Sequence, residues 1–396
     1  MRHFFWACLL FVSPLLFADD FFSLVKNAEE WATVKNAAGL LQPDEVKLAF
    51  TKGVAIDERG INGRTPLMVV AGSSQTTEVL KAFIDAGADI QARNNIGATP
   101  LMYAACCSNS LEVVQLLVDS GARLNSRDDE GRTPLFLASW SNNNADIVSV
   151  LLDPTLGSES RDLTGRTPLM VAAEYNILEV VQILIDFGAS IEARDRIGST
   201  PLMYAARGTI NSEIIRLLVE TGARLEARDE DGYTPLMHAA RYSENFESIK
   251  ALIDVGARID AQTEGGWTAL KLAAAFNNSP AVTNELVMAG ADLESRTTAG
   301  FTPLMDAAAF NDNPEVVQVL IEAGANLEAR TDSGFTPLMD AAGFSTNPQV
   351  VIKLLEAGAN VAAINHEGKS AFDLIKMNDA LKNSEAFWRL NEQRFN

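Results

Sequence analysis

The sequence predicts an α-solenoid of stacked helix-turn-helix repeats, and three registers predict it. The tripeptide Thr-Pro-Leu starts at Thr65, Thr99, Thr133, Thr167, Thr200, Thr234, Thr302 and Thr336, with Thr-Ala-Leu at Thr268 and a decayed Ser-Ala-Phe at Ser370. Successive starts lie 34 residues apart, except for one step of 33 from Thr167 to Thr200. A glycine stands two residues before every start, from Gly63 to Gly368, and a second recurs late in the unit at Gly87, Gly121, Gly188, Gly222, Gly256, Gly290, Gly324 and Gly358. Chance does not hold three such registers in step.

Each register has a physical reading. The threonine is a helix N-cap whose hydroxyl accepts an unpaired N–H of the first turn, and the following proline occupies N1, where no N–H is needed. The preceding glycine supplies the positive φ of a tight turn, so the chain reverses just before each helix. In the second unit Leu101, Met102, Ala104 and Ala105 make a short first helix with small residues on one side. Leu111 to Val118 then make a second, with Val113, Val114, Leu116 and Leu117 expected inward. Gly121 ends it as a left-handed cap. Each unit is therefore two antiparallel helices joined to the next unit by a β-hairpin or turn.

These motifs resemble ankyrin repeats, with their Gly-x-Thr-Pro-Leu start, Ala-Ala pair, Leu-Glu-Val-Val second helix and Gly-Ala-Asp close, over about residues 60 to 380. The resemblance implies the ankyrin stack and a partner-binding concave face. Two departures stand out. The histidine usual after Thr-Pro-Leu is Met68, Met102, Met170, Met203, Met237, Met305 or Met339, which exchanges a polar bond for adaptable packing. The usual period of 33 is lengthened by a residue between the helices, where Asn-rich loops such as Asn142-Asn143-Asn144 stand, and asparagine is expected to take up the left-handed turn there.

The units run 60–93, 94–127, 128–161, 162–194, 195–228, 229–262, 263–296, 297–330 and 331–364, nine in all, between an N-terminal cap (19–59) and a C-terminal capping repeat and tail (365–396) carrying Phe387, Trp388 and Phe395. The third breaks its pattern: Pro154 stops the second helix, no Gly-Ala follows, and Ser158 replaces the apolar residue found as Ile90, Leu124, Ile191 and Leu225. The junction of the third and fourth repeats is expected to be the weakest.

Residues 1–18 read as a secretory signal, with Arg2 and His3 before an apolar run from Phe4 to Phe17 and cleavage expected after Ala18. A run this short falls below the roughly 20 residues of a spanning helix. The resemblance is thus to a bacterial, exported member of the family, and the mature protein is expected in the periplasm or secreted, as a monomer with no membrane insertion. Of 396 residues 47% are hydrophobic and 21% charged, which excludes disorder, and 32 Lys+Arg against 52 Asp+Glu give a net charge of -20. That balance repels nucleic acid.

Signals for chemistry are sparse. His238 and His366 lie about four repeats apart, and no glycine-rich phosphate loop or nucleophile motif is present. No cofactor, metal or catalytic residue is expected, and the chain reads as a non-enzyme. Glu192, Glu226, Asp260, Glu294 and Glu328, each two residues before Arg194, Arg228, Gln262, Arg296 and Arg330, read as a solvated ladder of charge pairs. Cys106 and Cys107 read first as small apolar fillers, and alternatively as a vicinal disulfide, redox sensor or soft-metal site.

The candidate surface is aromatic. Tyr233, Trp267, Phe301 and Phe335 stand just before the cap, and Trp140, Tyr175, Tyr242, Phe276, Phe310 and Phe344 at the end of the first helix, positions that face partners in ankyrin-like stacks. Rings one repeat apart are about 10 Å from each other, so each row needs a filler. Either a partner supplies it or each ring packs on the adjoining repeat's other row. The expected function is a protein–protein interaction scaffold binding through the concave face around the sixth to ninth repeats. The alternatives are a redox or soft-metal protein using Cys106-Cys107, and a secreted effector acting on host proteins.

Overall fold

The computed structural model describes residues 41–73, 77–155, 157–208 and 211–393, and divides into two compact units. The signal segment, the first part of the N-terminal cap and Phe395 lie outside the described residues. Of the described residues the first unit holds those up to 168 with 183–189, and the second 169–182 with those from 190 on, so the division falls beside the irregular third repeat.

In the first unit a capping helix, Pro43–Thr51, is followed by the pairs Pro66–Ser73 and Thr77–Asp85, Pro100–Cys107 and Leu111–Asp119, Pro134–Ser141 and Ala145–Leu151. First helices pack on first helices and second on second. The second unit repeats the arrangement from Pro201–Gly208 and Glu213–Glu220 to Pro337–Phe344 and Pro348–Glu356, and closes with Ala371–Ile375 and Glu385–Gln393. Its end is sealed by Phe372 against Phe387, ring centroids 5.3 Å apart. The helices of the fourth repeat, Pro168–Tyr175 and Leu178–Asp186, are shared between the units.

The caps form as their residues dictate. Thr99 Oγ1 accepts Met102 N–H at 3.4 Å, and the Met102 thioether accepts Thr99 N–H in return, also at 3.4 Å. The same sulfur contact recurs at Met203, Met237 and Met305, so the methionine column is a weak acceptor as well as packing. Gly121 has φ 93, the left-handed conformation expected of the second cap.

The connections are turns. Among the described residues there is no strand beyond one bridge between Ile364 and Ser370. Each finger is too short for a ladder: it closes on one pair of bonds, as Asn94 N–H to Ala98 O (3.0 Å) and Gly97 N–H to Asn94 O (3.0 Å).

Three expectations are corrected. Asn142, Asn277 and Asn311 are extended, with φ of -104, -104 and -103, not left-handed. These asparagines serve another end: Asn311 Nδ2 donates to Ala274 O (2.8 Å) and Asn277 O (2.9 Å) of the preceding repeat, and Asn142 and Asn277 bond the equivalent carbonyls of the repeats before them. The acidic and basic columns are not chiefly charge pairs. Glu226, Glu294 and Glu328 accept backbone N–H groups of Arg258, Asn326 and Asn360 in the next repeat, each at 2.8 Å. Arg194, Arg296 and Arg330 donate to backbone carbonyls of Arg228, Arg330 and Ile364. Backbone groups left open by a strandless finger must be satisfied somewhere, and these side chains satisfy them. Leu116 is half-buried on the outer side, whereas Val113, Val114 and Leu117 are fully buried. In the third repeat the shortened second helix leaves a cavity of about 360 Å³ lined by Leu124, Leu135, Leu151 and Ser160.

Candidate functional site

The ends of the first helices carry the exposed rings. Tyr175, Tyr242, Phe276, Phe310 and Phe344 are 43–56% exposed, and the last four stand on consecutive repeats. Gly208 occupies the equivalent place in the fifth repeat and interrupts the row. The finger aromatics Tyr233, Trp267, Phe301 and Phe335 are half-buried.

The two rows meet within single repeats. Trp267 lies against Phe276 with centroids 5.6 Å apart and Phe335 against Phe344 at 6.3 Å, each pair inside one repeat. The reason is geometric: the residue before the cap and the residue at the helix end flank the same short helix, which is only eight residues long.

Between the sixth and seventh repeats the filler is the chain's own arginine. The Arg241 guanidinium sits 4.4 Å from the Phe276 centroid, 5.3 Å from Tyr242 and 5.8 Å from Tyr233, and donates to Tyr233 Oη at 3.0 Å. Burial pushes the Tyr233 phenol up, partly opposed by that arginine. His238 is buried beneath, edge-on to Tyr233 and tilted against Tyr242, with Nε2 2.8 Å from Asp229 Oδ2. Tyr233, Tyr242, Trp267 and Phe276 therefore form one cluster. At the position of Arg241 the next three repeats have Ala275, Ala309 and Gly343, so the spaces beside Phe276, Phe310 and Phe344 have small floors.

Trp140 stands apart, in the first unit. It is edge-on to Phe136 at 6.5 Å and faces Arg132 and Arg166 at 5.8 and 5.7 Å. Tyr175 is exposed near Arg207, whose guanidinium is paired with Glu174 (2.9 Å) and lies 4.0 Å from the Tyr204 ring.

Cys106 and Cys107 are joined to each other as a disulfide at the end of helix Pro100–Cys107, which corrects the reading of two free apolar fillers. In this form neither sulfur is a thiolate for a soft metal. Among the described residues no three His, Cys, Asp or Glu side chains are grouped to hold a metal ion, and no helix is long and apolar enough to cross a membrane.

One buried polar group escaped the reading of the sequence. Lys271 stands in the methionine column, and its fully buried ammonium is 2.8 Å from Asp306 of the next repeat and donates to Phe301 O at 2.5 Å. Burial pushes Asp306 up to about 6, partly opposed by Lys271, and pushes the Lys271 ammonium down. Asp340, one repeat on, is fully buried with neither carboxylate oxygen hydrogen-bonded, and burial together with Asp306 raises it well above the usual carboxylate range. The signal was a lysine where seven repeats place methionine, followed by aspartates where others have Val69, Leu137, Val171 or Leu374.

No curated protein matches the chain. The family described as ankyrin repeats (3 copies) matches in overlapping stretches, residues 36–128, 105–160, 121–195, 154–229, 187–263, 211–297 and 270–365.

Proposed function

Since the chain belongs to the ankyrin-repeat family, we propose that it is a non-catalytic protein–protein interaction scaffold whose docking face is the aromatic row of the sixth to ninth repeats. One observation carries the location: Tyr242, Phe276, Phe310 and Phe344 are each about half exposed on consecutive first-helix ends. Rings of this kind are the side chains that most often anchor interfaces. Trp267 and Phe335 support them from behind, Phe301 stands at the same finger position, and Ala275, Ala309 and Gly343 leave room between the rings for inserted side chains. Trp140 and Tyr175 are secondary contacts, because they stand outside the run of rings on consecutive repeats, Gly208 interrupting the row after Tyr175.

The test is partner recovery after crosslinking in the producing cell, comparing the native chain with Phe310→Ala/Phe344→Ala and with Met288→Ala, an exposed residue on a second helix. Recovery is expected to fall at least about tenfold for the double variant and to stay level for Met288→Ala. Equal recovery from all three would sink the proposal. The same proposal places the mature protein outside the cytoplasm, periplasmic or secreted, on the strength of residues 1–18. A mature N-terminus at Asp19 is the expected outcome, and an intact Met1 in the extracted protein would refute it.

A further inference from the structure

The fingers of the second unit are joined tip to tip, with one exception. Glu230 N–H donates to Ile197 O (3.0 Å), Thr298 N–H to Gly265 O (3.1 Å), Asp332 N–H to Ala299 O (3.3 Å) and His366 N–H to Ser333 O (3.1 Å). Among the described residues the corresponding bond from Glu264 N–H to Asp231 O is missing. The arginine link is missing at the same joint: Arg228 Nη1 reaches Gly232 O (2.7 Å) within its own finger, with no bond to Gln262 O. Backbone spacing agrees. A methyl group at Gly198, Gly266, Gly300 or Gly334 would come within 2.5–3.3 Å of the next finger, whereas at Gly232 the nearest atom is 3.7 Å away.

The space opened between the sixth and seventh fingers is a cavity of about 760 Å³, within the range of roughly 300–1,000 Å³ usual for ligand pockets. Glu230, Asp231, Glu264, Tyr233, Trp267 and Arg228 are among its walls. Counting Asp229, there are four carboxylates against one guanidinium. Asp229 is engaged by His238, but the side chains of Glu230, Asp231 and Glu264 are exposed and form no ion pair or hydrogen bond among the described residues. Glu230 and Glu264 occupy the same place on adjacent fingers, and Gln262 stands where other repeats supply arginine. Facing like charges in excess over the one guanidinium of Arg228 oppose the closing of such a joint.

We propose that this joint is a recess that receives a lysine or arginine side chain from an extended basic segment of the protein partner. The proposal deepens the scaffold reading and rests on it. The three free carboxylates supply the counter-charge, the Tyr233 and Trp267 rings supply faces on which a cation sits, and the partner's ammonium or guanidinium supplies the donors that the open joint lacks. Trp267 places a fluorophore in the wall, and its contact with Phe276 makes the recess continuous with the aromatic row.

The probe is a labelled, flexible Gly-Ser peptide carrying three lysines, titrated into the full chain at about 0.15 M salt, where charges beyond about 8 Å are screened. Asp231→Asn/Glu264→Gln is expected to weaken binding about tenfold. Glu179→Gln/Glu220→Gln, which changes net charge equally at exposed second-helix sites, is expected to change it less than about twofold. Binding is also expected to alter the tryptophan emission, and Trp267→Phe to abolish that change while leaving the peptide bound. Equal weakening by both double variants, an emission change that survives Trp267→Phe, or no saturable binding by the native chain would each overturn the recess. None of these outcomes bears on the Phe310/Phe344 comparison, so the recess can fail while the docking row stands.

Discussion

Asp340 shows how a single side chain sets the pH response of a repeat. Its carboxyl is buried without a hydrogen bond and faces Asp306 across the joint, while Lys271 is engaged by Asp306. A carboxyl whose folded pKa is raised binds its proton more tightly in the folded chain. Its stabilising contribution is therefore complete below the unfolded value near 4 and is lost as pH rises through the folded value. For Asp306 that window runs from about 4 to about 6, and for Asp340 it starts at the same lower edge. Asp340→Asn leaves a polar group in place but removes the ionisable one, and is expected to raise unfolding free energy at pH 8 by about 1–3 kcal/mol. The gain should vanish below about pH 4, where the carboxyl is protonated in the folded and the unfolded chain alike. Denaturant titrations at both pH values check this, and a difference independent of pH would show that the carboxyl does not titrate as argued.

At the scale of the element, the loop between the helices is explained by what its asparagines bond. The Asn311 amide satisfies two carbonyls at the end of the preceding first helix, where an α-helix leaves its last C=O groups open. Asn313 caps the second helix through Glu315 N–H (3.0 Å) and reaches back to Asn278 O (2.8 Å), so one loop closes two helix ends and ties itself to the preceding loop. Asn311→Ala is expected to cost about 1–3 kcal/mol by stranding Ala274 O and Asn277 O, read as a lowered denaturation midpoint with unchanged slope. A loss no greater than that of an exposed substitution such as Met288→Ala would mean water replaces the amide at no cost. The loop composition was legible in the sequence, but its purpose was not. Asparagine suits both a left-handed turn and an inter-repeat bond, and only the φ values and the neighbouring carbonyls separate them.

At the scale of the whole molecule, stability grows by nearest-neighbour joints, so removing one complete period rejoins compatible faces. Deleting residues 297–330 places Asp340 where Asp306 stood, opposite Lys271, and removes the unpaired carboxylate. The shortened chain is expected to remain folded by circular dichroism. In it Asp340→Asn should now destabilise, by about 3 kcal/mol or more, because the substitution breaks a buried pair instead of relieving a lone charge. A stabilising effect in both chains would refute the assignment of Asp306 as the partner of Lys271. The reversal of sign is a property of the stack, invisible in either repeat alone.

What the amino-acid order determined by itself was periodic: the ankyrin repeat, its caps, the glycine turns, the irregular third unit and the two aromatic columns follow from residue types recurring at fixed spacing. Such features depend on local backbone preference and are the same in every unit. The tertiary structure decided what depends on the face of the next repeat: that the Glu and Arg columns bind backbone groups, that Trp267 lies against Phe276 of its own repeat, that Arg241 fills one inter-ring space, and that the joint between the sixth and seventh fingers stands open. The physical reason is that a side chain's partner in a stack lies a full period away along the chain, and the spacing of the sequence tells which columns are neighbours without telling which groups within them meet.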